Sequence, residues 1–409
     1  MEKIPVTTPY FDESEESAAC DAIRSGWVAQ GPRVTEFEKV IAAHEGVGYG
    51  VATTSCTTAL HLAMAASGLG PGMDAIAPSF TFVATANSIV ISGATPILAD
   101  VRRDTYCIDP ESVRSIIENR YERRGGNLVN KATGNVLWGI VPVHQFGLCC
   151  DIHEINAIAK EYGLKVIEDA ACALGAKIGD THEGAFGNIS CLSFHPRKSI
   201  TTGEGGMVLV NDGEAAERMR HLRSHGSTVS ADARDKGKGF LLPSYDEAGY
   251  NYRMTDIQAA VGLAQAKKLG FILEEKRRKA LLYNKLIARY LPEVVAPVEP
   301  DGWYHTYQSY CVMLDDKKLG FATIDEGGTF RNALLDRLDE LGVATRQGTH
   351  AVHTLGYYVR RFGYKPEDLP NAYACDRLSI SIPLYVRITD EQQEYVVKAI
   401  RGLVDELRG

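Results

Sequence analysis

Between about residue 48 and residue 250, short apolar runs alternate with stretches whose apolar residues recur every three or four positions. YGVATT (Tyr49 to Thr54) leads into TALHLAMAASG, where Leu60, Ala63 and Met64 fall at helical spacing. DAIAPSF is followed by FVATANSIVISG and TPILADV. VLWGIVPVHQFG is followed by a helical pattern around IHEINAIAKEYG and then by LKVIEDAA. ISCLSF and GMVLVN read as two strands flanking a glycine-rich turn. This alternation predicts an α/β fold, a mainly parallel sheet wrapped by helices. Beyond about residue 250 the rhythm changes. One long helix is predicted from Thr255 to about Tyr290, ended by the three prolines of LPEVVAPVEPDG. YQSYCVML, FRNALLDRLDELG, LSISIPLY and the amphipathic EQQEYVVKAIRGLVDELR then predict a smaller α+β domain. The expected organisation is a large domain with an N-terminal arm over 1–254, a connecting helix over 255–290 and a small domain over 291–409. Two polar stretches, Asn119 to Asn135 and Ser227 to Phe240, are expected to be exposed loops.

Composition narrows the class. A chain of 409 residues, 45% apolar and 23% charged, has the make-up of a soluble enzyme of roughly two domains. No apolar run approaches the roughly 18 residues that span a membrane, and MEKIPVTTPYFDESEE has no basic-then-apolar leader, so a cytoplasmic protein is expected. A net charge of −8 argues against nucleic acid, whose binding needs Lys and Arg on phosphates. The nine cysteines include no CxxC pair, so reduced thiols and no metal are expected.

In open parallel sheets, ligands sit beyond the carboxyl ends of the strands. Three motifs fall at such ends. In TTSCTTALHLAM a helix starts among small hydroxyl residues. The N–H groups of Cys56 and Thr57, with the Thr57 hydroxyl, could hold a phosphate there, although Ser and Thr also simply cap helices. In KVIEDAACALGA, Asp169 ends a strand, where it could pair with a cation or a protonated ring nitrogen or cap the next helix. In SFHPRKSITTGEGG, Lys198 is either a solvated cation or an amine nucleophile. The second role requires a neutral amine, far from the ordinary lysine pKa of about 10.4. A phosphate anchor, an acid facing a ring nitrogen and an imine-forming lysine have one coherent joint use, which is to hold pyridoxal 5′-phosphate.

GWVAQGPRVTEFE, TSCTTALHLA, PSFTFVATANSI, VIEDAACALGA, SFHPRKSITTGEGG, LRSHG and GYNYRMTDIQAAVG, in that order, resemble the DegT–DnrJ–StrS aminotransferases. The resemblance runs from about Pro5 to the last helix. It implies the fold type I, aspartate aminotransferase-like class of pyridoxal-phosphate enzymes, acting mostly on nucleotide-linked keto-sugars. By the resemblance, Lys198 carries the cofactor and Asp169 pairs with its pyridinium nitrogen. Cys56 and Thr57 match the Gly-Thr phosphate pair, and Ser193 also contacts the phosphate. Phe82 stacks on the ring, and Asn251 reaches the phosphate of the neighbouring subunit, which implies a homodimer with shared sites. Cys56 departs from the usual glycine, which is harmless if only its N–H is used. Cys172 departs from the Gln or His expected near the ring oxygen, where a thiol is a weaker partner. Arg346 and His350, in GVATRQGTHAVH, match a region where relatives meet substrate. Related sugar dehydratases carry histidine in place of the lysine, so Lys198 favours transamination.

The implied reaction moves an amino group from L-glutamate to an NDP-4-keto-6-deoxyhexose, with a 3-keto sugar or a cyclitol ketone as alternatives. A pyridoxal-phosphate-bound regulator without turnover is the alternative of another class. A dinucleotide-binding enzyme is disfavoured, because no GxGxxG follows the first strand–helix turn.

Overall fold

The computed structural model describes residues 3–228 and 244–408. The alternating runs form strands β1 (Tyr49–Thr53), β2 (Met73–Pro78), β3 (Phe80–Thr81), β4 (Thr95–Ala99), β5 (Tyr121–Arg124) and β6 (Asn127–Asn130). They continue as β7 (Val136–Ile140), β8 (Lys165–Asp169), β9 (Lys177–Ile178), β10 (Thr181–His182), β11 (Ile189–Ser193) and β12 (Gly206–Val210). Among the described residues the central sheet runs β1-β12-β11-β8-β7-β2-β4, with β5 and β6 added beside β7. Neighbours from β11 to β4 are parallel, whereas β12 is antiparallel to both β1 and β11. The reversal follows from the short connection after β11, since a parallel neighbour needs a longer crossover. Strands β1, β11 and β8 therefore end at the same edge.

Among the described residues, the α-helices that precede residue 250 are α1 (Glu13–Arg24), α2 (Pro32–His44), α3 (Cys56–Ala66), α4 (Ala84–Ile91), α5 (Pro110–Arg120), α6 (Ile152–Tyr162) and α7 (Gly213–Arg223). Successive strand side chains point to opposite faces, so one strand feeds two cores. Val208 and Val210 pack with Leu60 and Met64 of α3 and Met219 of α7. Met207 and Leu209 pack with Val34, Phe37 and Ile41 of α2.

Two expectations are corrected. Asn119 to Asn135 is not a loop, because β5 and β6 form a hairpin within it. Its turn, Gly125–Gly126, has φ of 55° and 87°, the left-handed pair that two-residue hairpins require. Asp74, buried in β2, anchors the hairpin by accepting from Tyr121 Oη at 2.7 Å and from Asn130 and Asn135 Nδ2 at 2.8 Å each. The long helix over 255–290 is interrupted, giving α8 (Asp256–Ala266) and α9 (Leu269–Tyr290). The Lys267 N–H bonds back to Gln265 O, and Lys268 leaves helical geometry. Helix α8 is fixed to the N-terminal segment, since buried Asp256 accepts from the N–H groups of Gly31, Arg33 and Val34. In α9 the apolar stripe begins in the core beneath α2, at Leu269 and Leu273, and ends in the C-terminal core, at Tyr283 and Ile287. The expected loop over Ser227 to Phe240 lies, beyond Thr228, outside the described residues.

Strands β13 (Val294–Val295), β14 (Trp303–Tyr304), β15 (Tyr310–Leu314), β16 (His350–Ala351) and β17 (Ser379–Ile382) follow. β13, β15 and β17 make an antiparallel sheet whose core includes Leu334 and Leu338 of α10 (Ile324–Glu340) and Val396 and Ile400 of α11 (Asp390–Arg408). Ile4 bridges to Val343 and is buried in this same core, so the start of the chain packs with the small domain. β16 pairs with β3, and β14 extends the β9–β10 hairpin.

Asp74→Ala would leave two buried donors and a half-buried one without this acceptor and should lower the unfolding free energy by about 3 kcal/mol. Urea denaturation checks this; a loss below about 1 kcal/mol would mean that the hairpin is anchored otherwise.

Candidate active site

The edge shared by β1, β8 and β11 gathers the chemistry-bearing residues. β1 passes into α3 through Thr54 and Ser55. Ser55 accepts the Thr58 N–H, and Thr58 Oγ1 accepts the Ser55 N–H at 3.0 Å, a reciprocal cap. The first-turn N–H groups of Cys56 and Thr57 have no intrahelical acceptor and lie at the positive end of the helix dipole. Two contacts fix this helix end. The Thr54 N–H donates to Tyr252 O at 3.0 Å. Gly206, opening β12, lies so close that a Cβ there would stand 2.3 Å from Ser55 C and 2.5 Å from Cys56 N. The last glycine of GEGG thus lets the β11–β12 hairpin press on the start of α3.

The Cys56 side chain turns into the sheet. Its thiol donates to Cys191 O at 3.5 Å and lies 4.0 Å from Asp169 Oδ1. Burial pushes this thiol well above its ordinary pKa, so it is neutral at physiological pH. Cysteine therefore fills space that glycine would leave open, while its N–H stays at the helix start.

Asp169, at the end of β8, is 5% exposed. Its Oδ2 accepts from Thr85 Oγ1 of α4 at 2.6 Å, and its Oδ1 accepts from the Ala171 N–H at 3.1 Å. Burial pushes its carboxyl above the usual range, while Thr85, the Ala171 N–H and the Lys198 charge pull it back. It is an acid whose anion is incompletely compensated, and a nearby cation would complete it.

Lys198 lies in the β11–β12 connection and is half-buried. Its Nζ donates to Cys172 Sγ at 3.0 Å. Burial alone would push its amine down, but Cys172, Cys56 and Asp169 outweigh burial and hold it above the ordinary lysine value. Cys172, in direct contact, contributes most to keeping Lys198 protonated, and Asp169 adds to it. Cys172 therefore touches the lysine, whatever it does toward a ligand.

The other sequence-predicted residues surround this group. Ser193 ends β11, register-paired with Gly206, and its Oγ accepts the His195 N–H at 3.4 Å. Phe82 follows β3 and is 64% exposed, an aromatic ring left without cover. His350 in β16 pairs with Thr81, one residue from Phe82. Arg346 is exposed, and its backbone bridges to Ser381. Asn251 is exposed and bridges to Ser224, one residue from the Tyr252 carbonyl that holds Thr54.

The sequence reading passed over Thr85 and Lys276. Thr85 carries no signal of its own, because its hydroxyl meets Asp169 only through the fold. Lys276 sits in the charged run EEKRRK, which reads as a solvated face. Yet it falls on the helical stripe of Leu269, Leu273, Ala280 and Tyr283, and that spacing was available. Lys276 is buried, and its Nζ donates to Gln308 O at 2.7 Å. Gln308 Nε2 in turn donates to Arg197 O at 2.5 Å, beside Lys198. Burial, with some help from the Lys198 charge, pushes the Lys276 amine down to about 7.

A ligand with an anionic end, a cationic nitrogen and a carbonyl would find a matching group for each part along this edge. Comparison with known proteins gives the same direction. The model of the DegT/DnrJ/EryC1/StrS aminotransferase family matches residues 9–401. The chain is 34% identical over 402 residues to the spore coat polysaccharide biosynthesis protein SpsC of Bacillus subtilis, covering 98% of this chain and 97% of that protein. It is 33% identical over 401 residues to the GDP-perosamine synthase of Caulobacter vibrioides, covering 98% of each. The crystal structure of DesV from S. venezuelae superimposes with a TM-score of 0.83 at 26% identity, over 99% of both chains.

The Lys276 shift has a definite sign. Its folded pKa lies below the ordinary 10.5, so between about 7 and 10.5 the unfolded chain binds more protons. Wild-type stability relative to Lys276→Met should therefore rise as pH climbs through that window. Thermal melts of both proteins at several pH values check this; a difference that does not change with pH would contradict it.

Proposed function

The chain belongs to the DegT/DnrJ/EryC1/StrS aminotransferase family, and from that premise we propose that it transfers an amino group from L-glutamate to the ketone of a nucleotide-linked sugar. It is a pyridoxal-phosphate-dependent aminotransferase with the type I fold of such enzymes. The favoured acceptor is an NDP-4-keto-6-deoxyhexose. Likeness to a protein named GDP-perosamine synthase supports a sugar carried on a nucleotide. The observation that carries the proposal is the convergence of Lys198, Asp169 and the first turn of α3 at one sheet edge.

When bound, pyridoxal phosphate supplies a carbonyl that bonds covalently to an amine and a cationic ring that withdraws electrons from the donor's Cα. The N–H groups of Cys56 and Thr57, with the Ser193 hydroxyl, would hold its phosphate. The exposed Phe82 ring would cover one face of the cofactor. Asp169, short of a compensating charge, would keep the ring nitrogen protonated. Asp169 is one of several groups that raise the Lys198 amine, so pairing it with that cation would ease the amine toward its neutral form. Lys198, as a neutral amine, would take the proton from the donor Cα and return it as a general acid. Cys172, already in contact with Lys198, would orient that amine beside the ring oxygen. Arg346 and His350 would meet the nucleotide sugar. In a homodimer, Asn251 would reach the partner's phosphate, a role that its surface position supports.

Lys198→Ala should lose both the visible absorbance of lysine-linked cofactor and turnover; retained steady-state transamination would overturn the assignment. Asp169→Asn should keep the cofactor yet lose turnover by about 100-fold or more. The acceptor is tested by amine transfer from glutamate across a panel of nucleotide keto-sugars, with the aminated carbon read by NMR. A 4-amino product is expected. A 3-amino sugar or an aminocyclitol would replace the favoured acceptor, and no spectral response to glutamate would favour a non-catalytic regulator.

A further inference from the structure

A second group of titratable side chains lies where the end of α2 meets the β9–β10 hairpin. His44 is the last residue of α2, Glu45 is its cap residue, and His182 closes β10. The Glu45 side chain is fully buried, while those of His44 and His182 are 33% and 18% exposed. His44 Nδ1 lies 2.6 Å from Glu45 Oε1, a hydrogen bond. His182 Nδ1 lies 3.2 Å from Glu45 Oε2, but this pair makes no hydrogen bond. Both atoms are buried and face each other as an ion-pair contact, and neither makes a hydrogen bond among the described residues. The next residue, Glu183, is also buried. Its Oε2 accepts from Ser190 Oγ at 3.1 Å, while its Oε1 is buried without a partner.

A buried carboxylate oxygen without a hydrogen-bond donor is costly, and here Glu45 Oε2 faces an imidazole nitrogen that makes no hydrogen bond. The spacing has a specific meaning. Ligands bound at ~2.0–2.1 Å around a tetrahedral zinc ion stand about 3.3 Å apart. Candidate donor atoms of His44, Glu45 and His182 all lie within 4.8 Å of one another. We propose that these three residues form a binding site for a divalent transition-metal ion of the zinc type. Both Nδ1 atoms and Glu45 Oε2 are the protein ligands, and water takes the open position. Two imidazoles with one carboxylate favour such an ion over Mg²⁺ or Ca²⁺, which prefer all-oxygen shells. The partly exposed imidazole rings give the ion a path in. No residue of this group belongs to the site at the sheet edge. Its role is mechanical. It clamps α2 to the hairpin carried between Asp169 and β11, so the ion would steady the segment that spaces the acid from the lysine strand.

The test uses dialysed, cofactor-loaded protein titrated with ZnCl₂ alone, and separately with Co²⁺ as a spectroscopic probe. One ion per chain, the intense visible bands of four-coordinate Co²⁺ and a zinc-dependent rise in Tm are expected. The double variant His44→Gln/His182→Gln should keep its cofactor absorbance yet bind at least about tenfold more weakly. Lys198→Ala should bind zinc as wild type does, so failure of the cofactor assignment and failure of the metal site remain distinguishable. Equal binding by the double variant, or a Co²⁺ spectrum that remains that of the hydrated ion, would overturn the proposal. Should the double variant not fold, anomalous diffraction from zinc-soaked wild-type crystals decides. A peak among the three side chains supports the site, and its absence overturns it.

Discussion

Asp169 is an ionisable acid placed at the buried end of a central strand, its carboxyl group accepting from a hydroxyl, a backbone N–H and, at 4.0 Å, the Cys56 thiol. In so poorly solvated a position an anion is tolerable only if cations and donors are brought to it. Much of the surrounding architecture meets that requirement. Helix α4 brings the Thr85 hydroxyl, the turn after β8 supplies the Ala171 N–H, and the β11–β12 connection contributes the Lys198 charge. The reversed strand β12 makes this last step possible, because it turns the chain back at the edge where β8 ends. Gly206 completes the junction by allowing the hairpin to touch the start of α3.

The same electrostatics distinguish two lysines. Lys198, in contact with Cys172 and near Asp169, is held as a cation. Lys276 is buried against the Gln308 carbonyl, and burial destabilises its proton. By pKa alone, Lys276 would be the better nucleophile at neutral pH. Position argues otherwise, since Lys276 is fixed within α9 by Gln308 while Lys198 lies on the connection beside the acid.

The sheet, its helices and the order of the motifs were legible because a period of two and a period near 3.6 leave different marks on a chain. The candidates at the strand ends stood out because few residue types can hold a phosphate, a ring nitrogen and an imine, and the fold brings them to one edge. Features that depend on polar contacts distant in sequence were not. The β5–β6 hairpin reads as a loop because Tyr121, Asn130 and Asn135 gain their meaning only from Asp74. The break between α8 and α9 has no proline to announce it. Lys276 was masked by its charged neighbours although its helical phase pointed inward. Of His44, Glu45 and His182 the sequence shows an adjacent pair and a distant residue, and only folding brings them together.

Borohydride reduction of the cofactor-loaded enzyme, followed by mass mapping of its peptides, tests the central claim most directly. It makes the cofactor–lysine bond permanent. The account predicts a single phosphopyridoxyl label, on the peptide that contains Lys198. A label on Lys276, or no lysine label in protein that retains the cofactor, would contradict it.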